Sequence, residues 1–78
     1  MMTNKDFEQT IRGLLQRQPF QPFLIEFEDG SRFVVGQPEA LMYQGGGTAI
    51  FIHPDGAFDF VDSEGVNRFI ELTEAPST

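Results

Sequence analysis

The chain changes its hydrophobic rhythm once. Over the first eighteen residues, Phe7, Ile11, Leu14 and Leu15 recur at the spacing of one helical face. Thr3, with Asp6 three residues on, has the form of a capping box with Asp in place of Glu. Gln18 precedes Pro19, and a residue before proline is pushed out of helical geometry, so a helix is predicted over 3–18. After the connector Pro19-Phe20-Gln21-Pro22 the period becomes two. Phe23, Ile25 and Phe27 alternate with Leu24, Glu26 and Glu28, and Phe33 and Val35 resume the pattern beyond Asp29-Gly30.

Loop length fixes the register of this hairpin. A two-residue loop would set Phe27 against Arg32 and Phe33 against Glu26. A three-residue loop, Glu28-Asp29-Gly30, pairs Phe27 with Ser31, Ile25 with Phe33 and Phe23 with Val35, and places Glu26 across from Arg32. A one-residue slip sends every side chain to the wrong face, so the longer loop is expected, with Gly30 in the left-handed position of a bulged turn. The same construction recurs at Pro54-Asp55-Gly56, pairing Ile52 with Phe58 and Ile50 with Phe60. Further strands are predicted over Glu39–Gln44, ahead of a flexible Gly45-Gly46-Gly47 tip, and over Val66–Leu72, after a tight turn at Asp62–Gly65.

This order gives a mainly β, α+β chain: an N-terminal helix, then five or six short antiparallel strands in a strongly bent sheet. A small barrel of the Sm or SH3 kind is expected over 23–72, with a flexible tail at 73–78. The expected core is Phe7, Ile11, Leu15, Phe23, Ile25, Phe27, Phe33, Val35, Ile50, Ile52, Phe58, Phe60, Val66, Ile70 and Leu72.

The stretch from Gln18-Pro19-Phe20-Gln21-Pro22-Phe23 through Asp29-Gly30, followed by Phe33-Val34-Val35 and Gln37-Pro38-Glu39, resembles a family of small bacterial proteins with a PF-x-PF entry and an Asp-Gly turn. That family has no established activity and so implies no catalytic residue here. The helix-then-strands order, with Gly36 after the second strand, also resembles the Sm/Hfq small barrels. That resemblance implies a fold and a possible ring. The RNA-contacting Asn and Lys/Arg positions of Sm proteins are not apparent, and Ile52-His53-Pro54-Asp55-Gly56 stands where a Lys-His motif would sit.

Composition narrows the function. Seventy-eight residues make one small domain, and such a chain buries only ~60% of its unfolded surface. It has no cysteine and one histidine, which excludes disulfides and a standard structural zinc site. A very efficient core or self-association must supply the missing stability. Nine phenylalanines supply ample apolar surface, but a small globule has few interior places for nine rings. The net charge is −7, and the only cations are Lys5, Arg12, Arg17, Arg32 and Arg68, which disfavours nucleic acid and anionic membranes. No apolar run approaches the ~20 residues of a membrane span, and no secretory signal opens the chain, so a cytoplasmic protein is expected.

No motif carries catalysis or a cofactor. His53 has no triad or ligand partners in sequence. Asp55, Asp59, Asp62 and Glu64 lack the spacing of a calcium loop. The glycine run lacks a following helix and lysine for phosphate, and neither Ser31 nor Ser63 sits in a nucleophile elbow. What stands out is apolar residues on the face opposite the expected core: Leu24, Val34, Phe51 and Phe69. Their surplus points to an interface and hence to a non-enzymatic, self-associating interaction module, a homo-oligomer or a binder of another protein. The alternatives are an Sm-like nucleic-acid-binding protein, resting on fold analogy alone, and a small ligand-binding protein or enzyme, which a deep pocket lined by His53 and acids would support.

Overall fold

The computed structural model describes residues 2–72; the tail expected at 73–78 lies outside them. Thr3 opens the helix α1 (Asn4–Leu15): its backbone is extended and its hydroxyl accepts a hydrogen bond from the Asp6 N–H at 3.1 Å. The helix ends three residues short of the predicted boundary, at Leu15, where Gln16 leaves helical geometry while still donating to the Arg12 carbonyl. Phe7, Ile11 and Leu14 form its buried stripe.

Six strands follow: β1 (Phe23–Phe27), β2 (Arg32–Val35), β3 (Leu41–Gly45), β4 (Thr48–Ile52), β5 (Phe58–Asp62) and β6 (Val66–Glu71). They form two three-stranded antiparallel sheets, ordered β2-β1-β6 and β3-β4-β5. Short 3₁₀ turns at Pro38–Ala40 and Ser63–Gly65 carry the chain from one sheet to the other. The expected strand over Glu39–Gln44 therefore starts two residues later. The architecture is mainly β with one helix, arranged as two sheets.

Both predicted hairpin registers are present. Ile25 faces Phe33, Phe23 faces Val35, Ile52 faces Phe58 and Ile50 faces Phe60. The first turn closes with the Phe27 N–H on the Ser31 carbonyl (2.8 Å) and Gly30 at φ 90°, a region that costs an L side chain ~1–2 kcal/mol.

The core between the sheets is Phe7, Ile11, Leu14, Phe23, Ile25, Val35, Leu41, Ala49, Phe51, Val61 and Val66. Leu15, Phe27 and Phe33 pack against it half-buried. Phe7 joins the two sheets, its ring 6.1 Å from both Tyr43 and Phe69, and Phe33 stacks on Phe51 across the sheets at 4.7 Å.

Six expected core residues lie elsewhere. Phe58 and Phe60 are 60% and 66% exposed, Leu72 is exposed, and Ile50, Ile52 and Ile70 are only half-buried. Two physical causes account for this. In the β3-β4-β5 sheet both faces of β4 are apolar, so alternation does not choose between them. The register joins Leu41 to Phe51 and Tyr43 to Ala49. This set turns inward with Val61. In β6 a bulge does the sorting: Glu26 pairs with Arg68 but Phe27 with Val66, skipping Asn67. Val66 and Phe69 therefore both face inward although three residues apart, and Ile70 is turned out.

Candidate functional site

The outward placement of the β4–β5 hairpin's large residues creates a surface. Cross-strand pairing sets Met42, Ile50 and Phe60 in one row across β3, β4 and β5, with Ile52 and Phe58 in the next. Met42, Phe58 and Phe60 are exposed, and the Phe58 and Phe60 rings meet edge-on at 6.2 Å. On the other side of Phe60 the next pair is Thr48 with Asp62, whose carboxylate accepts from the Thr48 hydroxyl at 3.0 Å. Large uncovered apolar patches on folded domains occur chiefly where proteins, membranes or ligands are bound.

The strand carrying the two rings is also an edge. The ladder between β4 and β5 uses the odd-numbered residues of β5: the Ala57 carbonyl accepts from His53 N–H, and the Ser63 N–H donates to the Gly47 carbonyl. Antiparallel alternation then directs the N–H and C=O groups of Phe58, Phe60 and Asp62 away from β4. Phe60 stands between two open depressions, about 660 Å³ beside Gly47, Asp62 and Ser63, and about 400 Å³ beside Phe27, Phe33 and Asp59.

The residues singled out from sequence as an interface are dispersed. Val34 is 55% exposed and lies beside half-buried Leu24 on the outer face of β2-β1-β6, with Ile70 completing that row. Phe51 is 3% exposed and belongs to the core. Phe69 faces inward, its ring 6.1 Å from Phe7 and 6.0 Å from Phe23. Sequence reasoning thus paired the right residues on β4 and β5 but assigned the inner face to the outer set. The available signal was Asp62, which shares a face with Ile50 and Phe60 and stands in solvent.

Next to the apolar row of β2-β1-β6 runs a charged one. Glu26 is 8% exposed: one carboxylate oxygen accepts from Asn67 Nδ2 (2.9 Å) and Arg68 Nε (2.7 Å), the other from Arg32 (3.0 and 3.3 Å). These bonds, Arg68's first, hold its pKa down at about 2. Arg17 grips Glu71 through both nitrogens (2.8 and 2.6 Å), which lowers the Glu71 pKa, and Arg12 pairs with Glu8 at 2.8 Å. Four of the five basic residues are therefore engaged with carboxylates.

The candidate chemistry does not assemble. His53 Nε2 lies 2.6 Å from Asp59 Oδ2, with the imidazole edge-on to Phe33 and Phe51 at 5.2 and 4.7 Å. Ser31 Oγ donates to Asp29 (2.7 Å) and Ser63 Oγ to Asn4 (2.7 Å), so each hydroxyl is held by a partner other than His53. Asp55 caps its own turn by accepting the Ala57 N–H at 3.0 Å. With Asp59 on His53 and Asp62 on Thr48, the acidic run is distributed among separate partners. Among the described residues no group of three or more His, Asp or Glu could hold a metal ion, and no helix is long and apolar enough to cross a membrane. The glycine tip, expected as flexible, is tied by Gly47, whose carbonyl accepts from the Ser63 N–H at 2.8 Å.

Comparison with protein-family models, with curated proteins and with solved structures finds no match for this chain.

Proposed function

We propose that this chain is a non-enzymatic protein-interaction module that self-associates, using the outer face of β3-β4-β5 in place of the dispersed set read from sequence. The observation that carries the reading is the contiguous outward set of exposed Met42, Phe58 and Phe60 with half-buried Ile50 and Ile52. A domain this small with no disulfide gains stability by covering such a face. The pairing of Arg12, Arg17, Arg32 and Arg68 with carboxylates speaks against nucleic acid, since phosphate binding depends on available cations. The two corner turns between the sheets support a small barrel of the Sm or SH3 type, and the cysteine-free composition suits the cytoplasm.

Sedimentation velocity over a wide concentration range tests the reading. We expect a reversible rise in mass with concentration in the wild type, and its loss in a Phe58→Ser/Phe60→Ser chain that retains its far-UV circular dichroism. A wild type that stays monomeric at the highest concentrations refutes it.

A further inference from the structure

We infer that two copies join through their β5 strands, edge to edge and antiparallel about a two-fold axis, so that β3-β4-β5 of one copy continues into β5-β4-β3 of the other. The inference rests on the self-association reading and deepens it by naming the strand, the symmetry and the register.

The edge itself is the first argument. The sheets have four edge strands: β2, β3, β5 and β6. β2 and β6 carry Arg32 and Arg68, and β3 and β6 each break their ladder at a bulge. Charged side chains and bulges are what proteins use to blunt an edge. β5, Phe58-Asp59-Phe60-Val61-Asp62, pairs with β4 without a bulge, and its two charges are held by neighbours within the sheet, Asp59 by His53 and Asp62 by Thr48. It presents the backbone groups of Phe58, Phe60 and Asp62, two of which bear the most exposed rings of the chain.

The register follows from charge. Three registers let two or more pairs of outward-facing residues bond to one another. Setting Phe58 against the partner's Phe60 brings Asp59 directly opposite the partner's Asp59, a like-charge pair that opposes association. Setting Phe60 against the partner's Asp62 overlaps only the end of each strand. Setting Phe60 against the partner's Phe60 overlaps the whole strand, places Asp59 opposite the partner's Val61 and permits roughly six interchain backbone hydrogen bonds. In that register the row Met42–Ile50–Phe60 runs on through the partner's Phe60, Ile50 and Met42, one apolar band across the axis.

The area sets the strength. A phenylalanine offers roughly 200 Å², so Phe58 and Phe60 at 60% and 66% exposure present roughly 250 Å² together. A stable interface takes about 800 Å² per partner. Wholly covered, the rings would supply about a third of that, and pairing edge to edge covers them only where they meet across the axis, so the pair is a weak, concentration-dependent dimer held chiefly by the strand edge.

Residue-resolved amide hydrogen exchange, run alongside sedimentation equilibrium, tests the geometry. In the dimer range, exchange at Phe58, Phe60 and Asp62 should slow with rising concentration in proportion to the dimer fraction. Asp59 and Val61, which bond β4, should stay protected throughout. Phe60→Pro removes an outward N–H without touching the β4 ladder and should shift the dimer dissociation constant at least tenfold, with the native fold retained by circular dichroism. If the wild type is monomeric throughout, this inference falls together with the self-association reading. If it associates while those three amides exchange freely, or grows beyond two chains, the β5 pairing is overturned and self-association stands. The exchange measurement on the wild type decides the matter even if the proline variant does not fold.

Discussion

Phe51 and Phe60 are two residues of the same hairpin with opposite expected responses to truncation. Phe51 is 97% removed from solvent, stacked on Phe33 at 4.7 Å and met edge-on by His53. Removing a buried phenylalanine to alanine costs about 3–5 kcal/mol, transfer and cavity together. A 78-residue chain at ~0.05–0.15 kcal/mol per residue holds only roughly 4–12 kcal/mol in total. Phe51→Ala therefore consumes about a quarter or more of the stability and, at roughly 4–8 °C per kcal/mol for a domain of this size, lowers Tm by about 12 °C or more. Phe60 buries only about a third of its ring. At ~25 cal/mol per Å² of a roughly 200 Å² side chain, Phe60→Ala costs at most about 1.7 kcal/mol. The chain has no tryptophan, so urea unfolding is followed by far-UV circular dichroism, on samples dilute enough to be monomeric. Equal losses of stability in the two variants, or a larger loss for Phe60→Ala, would mean that the inner and outer faces of β4-β5 are reversed and that the proposed contact surface does not exist.

The ionised Glu26 carboxylate is favoured in the folded chain, with its pKa lowered from 4.5 to about 2, so its contribution is fully present above pH 4.5 and drains away as pH falls toward 2; Glu71 and Asp29, also lowered, act in the same direction. Glu26→Gln should therefore flatten the acid limb of a plot of urea midpoint against pH across that window, and parallel curves would contradict the role of the Arg68–Glu26–Arg32 cluster. Gly47→Ala should destabilise the chain by more than the ~1–2 kcal/mol expected for a left-handed backbone alone, because a Cβ there would overlap the Asn4 side chain and press on Ser63 Oγ at 3.0 Å; thermal unfolding showing a smaller loss would mean that the α1 start is not fixed against the glycine tip. Association should strengthen with added salt, since both copies carry a net charge of −7; sedimentation at low and high ionic strength checks it, and weakening by salt would indicate a charge-driven contact instead.

Much of the fold was legible because local chemistry and global pattern agreed. Thr3 and the stripe Phe7, Ile11, Leu14 define the helix start, and Asp29-Gly30 and Pro54-Asp55-Gly56 define both hairpin registers. Agreement stopped where the pattern was degenerate. Thr48–Ile52 is apolar on both faces, and only the choice of partner strand decides that Phe51 rather than Ile50 and Ile52 turns inward. The register set by the Pro54-Asp55-Gly56 turn grouped Ile50, Ile52, Phe58 and Phe60 and assigned that group to the interior, whereas the inward positions of β4 and β5 are held by Ala49, Phe51 and Val61. The reading of β6 failed for a different reason: strict alternation from Val66 selects Ile70 and Leu72, but the unpaired Asn67 reverses the order and selects Phe69. Surplus apolar residues are thus exposed on the outer sheet faces, Val34 among them, while Phe51 and Phe69, expected to face outward, turn inward.

That unpaired residue gives the last strand a unit of slack. Asn67 occupies no rung of the ladder with β1, and Arg68 and Val66 on either side already contact consecutive residues there. A chain lacking Asn67 would have adjacent rungs where it now has a detour, and Val66 and Phe69 would keep their partners Phe27 and Ile25. The cost would be one hydrogen bond to Glu26. Length variation, which within an uninterrupted strand would turn the interior outward, is tolerable at this position, so the chain can lose a residue here without losing its core.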